Sequence, residues 1–266
     1  DMGAEVIKVE RPGRGDPRRG IAPYPDTEKE NPTGGGFMAY NRNKKSIVID
    51  LRSEEGKNIY KSLVEKSDIV VENMRPGATD RLGIGYEDLK QINPAIIYSA
   101  ISGFGQLEGY RGPNTEWPTF DIVVEDMSGI MAQVGFEDRA PQWTIYGLAD
   151  LYSGLVAAYS IMLALFMREK TGMGQFVDTA MYDCMLSLNE RMVMLHSFTG
   201  EMQPRGKLRH QGPRAAFQTA DGYVAVNVPD NIIWERLCKV IGREDLIEDD
   251  RTINGPQRAK NDSLIR

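Results

Sequence analysis

The chain has 266 residues, 41% hydrophobic and 26% charged, a composition that excludes a disordered chain and suffices for one large domain or two smaller ones. Its formal net charge of -6 argues against a general nucleic-acid binder. Two cysteines without CxxC spacing and two histidines exclude a zinc site of the usual type, so Cys184 and Cys238 are expected in the core and no metal site is expected.

Strand character begins almost at once, at Val6-Ile7-Lys8-Val9-Glu10, with no preceding helix or cap, which reads as a beginning cut into a fold. Arg11-Pro12-Gly13 and Gly15-Asp16-Pro17-Arg18-Arg19 form a turn-rich loop whose arginines read as solvated charges. Ser46 to Leu51 is a predicted strand, and Ser53-Glu54-Glu55 opens a helix with Ile59, Tyr60, Leu63 and Val64 on one face. Asp68 to Glu72 is the next strand, giving a βαβ unit with parallel strands. A short helix over 86–92 and a buried strand over 95–101 repeat the pattern. Ligands of such sheets bind beyond the carboxyl ends of the strands, here at Asn73-Met74-Arg75-Pro76-Gly77 and Ser102-Gly103-Phe104-Gly105. Neither GxGxxG nor GxxxxGK[ST] occurs, so the topology alone implies no dinucleotide.

Residues 106–119 read as a loop and 121–134 as an amphipathic stretch. The most apolar long segment, Leu151 to Met167, ends in Arg168-Glu169-Lys170-Thr171-Gly172, a buried helix with cations in its last turn and a glycine stop. Tyr152, Ser153, Tyr159 and Ser160 interrupt it, no secretion signal is recognised, and the expectation is a cytoplasmic protein with no membrane association. A strand over 175–179 and a helix over 180–195 follow. Residues 199–214, rich in Gly, Pro, Gln and Arg, read as a linker between a large domain, 1–198, and the start of a small one, 215–266. In the latter, Asp221-Gly222 turns into a strand over 223–228 and Asn231 begins a helix reaching Ile241. Too few residues follow to complete an independent core, so this end also reads as cut.

Gly147-Leu148-Ala149-Asp150 places a carboxylate at the start of the apolar helix. A helix N-cap accounts for it, since the carboxylate would accept backbone N–H bonds that the first turn leaves unmade. From spacing alone that is the better expectation; a sharper reading keeps the cap geometry and adds the role of a nucleophile held at a helix start. Phe120, Trp117 and Trp143 are compatible with a non-polar acyl group, but aromatic core packing is the better expectation.

The ordered set Gly3-Ala4-Glu5-Val6-Ile7-Lys8-Val9-Glu10-Arg11-Pro12, Asn41-Arg42-Asn43-Lys44-Lys45-Ser46, Val71-Glu72-Asn73-Met74-Arg75-Pro76-Gly77, Leu82-Gly83-Ile84-Gly85-Tyr86, Ser102-Gly103-Phe104-Gly105, Ala149-Asp150 and Arg168 to Gln175 resembles the class III CoA-transferase family. That family includes formyl-CoA transferase, carnitine CoA-transferase and the related alpha-methylacyl-CoA racemases. The resemblance implies an α/β fold with a Rossmann-like large domain and parallel sheet, a smaller α+β domain, and an interlocked homodimer. It places Asp150 at the catalytic aspartate and Arg11, Ile49, Arg52, Asn73, Met74 and Arg81 at positions lining the CoA site, with Arg75 a further candidate. Guanidinium groups suit phosphates, and Ile49 and Met74 could flank adenine. Acyl-CoA and a free carboxylic acid would be substrates, with no covalently bound cofactor. Helix-start N–H groups would be oxyanion donors.

The family's additional strand and helix before Asp1 and its return segment after Arg266 have no counterpart in this sequence. Its glycine-rich loop finds no match in 200–212, so oxalate or formate is not supported as substrate. In the racemase branch a histidine stands where this chain has Phe120, and His196 and His210 are expected at the surface or in the linker; transferase is therefore preferred to racemase. A catalytically silent CoA-binding or interaction fragment is the alternative of another class.

Overall fold

The computed structural model describes residues 2–25, 32–136, 138–202, 205 and 213–265, and the chain divides into two compact units, Asp1–Pro118 with Gly154–Ala180, and Thr119–Ser153 with Met181–Arg266. The first unit begins with β1 (Val6–Glu10), which pairs in parallel with β2 (Lys44–Val48), Glu10 opposite Val48; α1 (Gly35–Tyr40) lies between them in sequence. The next helix, α2 (Glu54–Val64), starts where the sequence marks it: the Ser53 hydroxyl accepts the Gly56 N–H, and Glu54 and Glu55 sit in the positive first turn. Glycine is required at 56, because a Cβ there would lie 2.0 Å from the Asp50 carbonyl oxygen.

The sheet that follows is β3 (Ile69–Glu72), β4 (Ile97–Ser102) and β5 (Gln175–Ala180), in the order β3-β4-β5 and parallel throughout. Between β3 and β4 lie α3 (Ala78–Leu82) and α4 (Tyr86–Ile92); between β4 and β5 lie α5 (Asp121–Met127) and α6 (Leu148–Thr171). As the central strand, β4 is covered on both faces: Ile97, Tyr98, Ser99 and Ala100 are all buried. One face builds the core of this unit from Val64, Val70, Leu89, Ile96, Tyr98 and Ala100, with Phe176 packed against it. At the far end of α6, Arg168 donates to the Asp68 carboxylate at 2.9 Å and to the Asp68 and Ala95 carbonyls, and Gly172, at φ 72°, stops the helix.

The second unit contains α5, the first six residues of α6, α7 (Met181–Leu188), α8 (Glu190–Thr199), the antiparallel hairpin β6 (Arg214–Gln218) and β7 (Tyr223–Asn227), α9 (Asn231–Val240) and α10 (Gly255–Lys260). Val124, Ala149 and Met185 form one core, and Val228, Trp234, Cys238 and Leu246 another. The helix expected over 180–195 is broken at Asn189, whose amide leaves the helical pattern to donate to the Ser128 carbonyl and accept from Gln133.

Four expectations are revised. Strands β2 and β3 are not hydrogen-bonded neighbours, so the βαβ unit expected across α2 is instead formed by β3, α3, α4 and β4. The compact units do not follow the expected 1–198 and 215–266 division: the chain leaves the first unit in the Gly- and Pro-rich stretch before Thr119 and returns within α6. The C-terminal segment does carry a core, because Trp234 and the guanidinium of Arg258 stack at 5.1 Å and both are almost fully buried. Finally, α6 is not a wholly buried helix. Ser153, Ala157 and Ala164 are at most 2% exposed, whereas Leu155, Tyr159, Met162 and Phe166 are 58–65% exposed. An apolar circumference with small residues on one stripe leaves its bulky side uncovered. By length and composition alone, 24 residues long with an 18-residue stretch of mean hydropathy 1.6, α6 could cross a membrane.

Candidate active site

Asp150 lies on the first turn of α6, at its third residue, and its side chain is exposed. That is a position inside the helix, not the N-cap position. Gly147 is the residue whose carbonyl accepts the first helical bond, from Leu151, and glycine is suited to its φ of 88°. The capping carboxylate comes from Asp121, 29 positions earlier on α5: its Oδ1 accepts the N–H groups of Ala149 at 2.8 Å and Asp150 at 3.2 Å, and its Oδ2 accepts that of Gly147 at 3.3 Å and the Trp143 indole N–H at 3.0 Å. An acceptor at these amides does what an N-cap side chain does elsewhere, and its charge suits the helix dipole. The expectation that Asp150 caps the helix is thereby corrected. The expectation that these helix-start N–H groups serve as oxyanion donors meets the same obstacle, since Asp121 already occupies them.

One turn further along α5, the fully buried Glu125 accepts the same Trp143 N–H at 3.1 Å together with the Thr144 N–H and hydroxyl. Two carboxylates at i and i+4 repel one another. Here they share a donor and fasten residues 143–150, the stretch that delivers Asp150. Sequence reasoning left both unassigned; the available signal was the acidic i,i+4 pair inside an otherwise apolar run, Asp121-Ile122-Val123-Val124-Glu125.

The CoA candidates lie in the first unit as two groups, each at the carboxyl end of parallel strands. Arg11 follows β1, and Ile49 and Arg52 follow β2. Arg11 is exposed and its Nε donates to the Gly15 carbonyl at 3.1 Å, which fixes the base of the guanidinium. Ile49 is 5% exposed: its side chain is committed to the interior, so flanking an adenine ring does not fit it. The second group, Asn73, Met74 and Arg75 after β3 and Arg81 on α3, is exposed around the left-handed Gly77 at φ 72°. The Met74 N–H donates to Glu72 at 2.6 Å, and Met74 is 40% exposed, as an adenine-flanking residue requires.

The loop after β1 is not merely a set of solvated charges. Glu10, 5% exposed, receives Arg19 in a two-point ion pair at 2.7 and 2.8 Å, the Asp16 N–H and the Ser46 hydroxyl, and Arg19 stacks on Phe37 at 3.8 Å. The Arg19 guanidinium beside it holds the Glu10 carboxyl down at about 2. This network anchors the turn on which Arg11 sits. Replacing Arg11 or Arg81 by Ala is expected to weaken CoA binding about three- to tenfold in low salt and less in high salt, since exposed charges are screened. Calorimetric titration at two ionic strengths checks this; equal affinity to the parent at both removes the residue from the site.

Trp117, Phe120 and Trp143 are 55, 75 and 38% exposed, which corrects the expectation of aromatic core packing; Trp143 stacks edge-on with Tyr146 in the second unit. Cys184 and Cys238 are free and buried, as expected, and burial pushes both thiols up. Among the described residues no group of His, Cys, Asp or Glu could hold a metal ion. His196 is exposed on α8; His210 and most of the 200–212 segment lie outside the described residues.

Comparison with known proteins bears on the whole chain. It is 40% identical over 251 residues to the succinyl-CoA:mesaconate CoA-transferase of Haloarcula hispanica, covering 94% of this chain and 63% of that protein. It is 35% identical over 264 residues to the succinyl-CoA:glutarate CoA-transferase of Mus musculus, covering 98% of this chain and 58% of that protein. The chain thus spans about three fifths of the length of these relatives. The crystal structure of a CAIB/BAIF family protein from Brucella suis superposes with a TM-score of 0.84 at 35% identity, over 100% of this chain and 69% of that one. The profile of CoA-transferase family III matches residues 1–266, and the chain belongs to that family.

Proposed function

We propose that the protein moves CoA between carboxylic acids, with Asp150 as the nucleophile. The observation that carries this is the start of α6: Asp121 accepts the N–H groups of Ala149 and Asp150, and the exposed side chain of Asp150 stands on the first turn so pinned. Attack of that carboxylate on an acyl-CoA forms a C–O bond to the acyl carbon and breaks its C–S bond, giving a mixed anhydride and CoA thiolate. The thiolate then attacks the aspartyl carbonyl, forming an aspartyl-CoA thioester and releasing the first acid. An acceptor carboxylate attacks that thioester, CoA leaves again, and its return to the acceptor's acyl carbon regenerates Asp150. Acyl activation is kept throughout provided water is excluded. Arg11, Arg52, Arg75 and Arg81 serve the phosphates, while Asn73 and Met74 hold the nucleotide end.

Two relatives are named for transfer from succinyl-CoA, to mesaconate and to glutarate, so short dicarboxylic acids are the donors and acceptors to assay first. The test is thioester exchange by the full-length protein between succinyl-CoA and a panel of acids. Ping-pong kinetics and modification of Asp150 by hydroxylamine during turnover support the proposal; exchange by an ordered ternary mechanism, with Asp150 never modified, overturns it. The racemase alternative lacks its histidine at Phe120. A silent CoA-binding chain would bind CoA and exchange nothing.

A cytoplasmic homodimer completes the proposal. The bulky apolar side of α6 supports an association in which that face is covered. Light scattering on the eluting full-length protein should give twice the chain mass. A monomer at micromolar concentration would reject the dimer.

A further inference from the structure

Strand register puts Glu72, Ala100 and Asp178 in one row across β3, β4 and β5: Glu72 pairs with Ala100, and Ala100 with Asp178. In parallel strands such partners point to one face, so the two carboxylates flank the fully buried methyl of Ala100, their backbones two strand spacings, about 9–10 Å, apart. The same face two residues earlier is Val70, Tyr98 and Phe176, a core row. At its carboxyl end the sheet therefore changes from apolar to acidic, with the smallest side chain in the middle.

Gln106 spans the gap. Its backbone N–H and that of Leu107 donate to Asp178 Oδ2 at 2.7 and 2.8 Å, and its Nε2 reaches Glu72 Oε1 at 3.5 Å, the outer limit of a hydrogen bond. The other oxygen of Glu72 accepts the Met74 N–H at 2.6 Å. The loop after β4 and the loop after β3 are thus fastened to a single row, with Gly105 at φ 77° making the turn into it.

We propose that Glu72 is a positioning residue for the CoA-binding loop 73–77, holding it through the Met74 amide and braced across Ala100 by Gln106 and Asp178. This rests on the reading of Asn73, Met74 and Arg75 as CoA contacts. Glu72 itself touches no substrate; it fixes the backbone from which those side chains project, and the brace couples the order of that loop to the order of residues 105–107.

The surroundings of Glu72 give the row a pH dependence. Among the described residues, Tyr60 on α2, Asp80 on α3, Tyr98 on β4 and Asp178 on β5 act on it electrostatically. Burial, with Asp80 and Asp178 adding to it, pushes the Glu72 carboxyl up, against the opposing bonds from Met74 and Gln106. A carboxyl raised in the folded state contributes stability that is present below the ordinary carboxylate range and lost as pH rises through its folded value. Glu72→Gln should remove that part of the slope.

The experiment uses the full-length protein, CoA as the probe, and Glu72→Ala and Glu72→Gln. Glu72→Ala should weaken CoA binding and raise the KM for acyl-CoA about tenfold while kcat stays within about twofold, and should speed hydrogen exchange at residues 73–77 in the ligand-free protein. Glu72→Gln keeps an acceptor oxygen of the same reach, so it should retain CoA affinity within about threefold and keep the protection of that loop. Glu72→Ala binding CoA like the parent, or both variants losing affinity equally, overturns the proposal while the CoA site stands. A parent that binds no CoA, yet shows Glu72-dependent protection, overturns the CoA reading and the functional part of the proposal with it.

Discussion

Asp150→Asn should abolish CoA exchange in the full-length protein while leaving the fold in place. The expected loss is about 10³- to 10⁶-fold in kcat, the range for removing a covalent nucleophile, because an amide oxygen neither attacks a thioester productively nor accepts CoA to form an aspartyl thioester. Stability should move by no more than about 0.5–1 kcal/mol, since capping of α6 rests on Asp121 and an exposed first-turn side chain contributes little. Denaturant melts read the second quantity, and stopped assays with succinyl-CoA the first. An Asn variant turning over within tenfold of the parent would show that Asp150 is not the nucleophile. A variant that loses activity only by unfolding would return it to a structural role.

The second large effect belongs to Asp121. Its two oxygens face four donors, the N–H groups of Gly147, Ala149 and Asp150 and the Trp143 indole. Asp121→Ala leaves the three backbone N–H groups without their acceptor, while the Trp143 indole keeps Glu125, and should cost about 2–4 kcal/mol, several degrees in Tm for a chain of this size. Asp121→Asn is the more telling variant. Asparagine is ordinarily as good a cap as aspartate. Here its NH₂ group must face donors at one of the two oxygen positions, so it should still cost about 1–2 kcal/mol and lower kcat by about 10²-fold by shifting the turn that carries Asp150. Unchanged kcat in a folded Asp121→Asn protein would show that the turn is fixed without it.

How much of this could be read from the sequence depended on the range of the interactions. Local signals were legible: Ser53 before Glu54-Glu55 marks the start of α2, Asp221-Gly222 marks the hairpin turn into β7, and α4 spans 86–92 as its periodicity indicates. Asp150 stood out from its place before an apolar run, and the ordered motifs pointed to the family. What was not legible was long-range. That Asp121 caps a helix 28 positions away, that Glu10 is closed over by Arg19, and that Glu72 and Asp178 share a row are products of register and packing with no local pattern. The N-cap position assigned to Asp150 failed for the same reason: a carboxylate near a helix start looks alike whether it stands at the cap position or inside the first turn with a distant side chain accepting the N–H bonds. The exposure of α6 was hidden too, because a run apolar on all sides does not say which side finds a partner.

The borrowed cap has a consequence for how the protein fails. A cap adjacent in sequence re-forms with its own helix, whereas the first turn of α6 is secured only while α5 is docked, so its closure entropy is that of a loop of nearly thirty residues. Opening of that loop is a sub-global event, cheaper than unfolding the sheet. On heating, exchange activity should therefore disappear several degrees before the circular-dichroism transition, and the amides of Ala149 and Asp150 should exchange with deuterium sooner than those in the middle of the same helix.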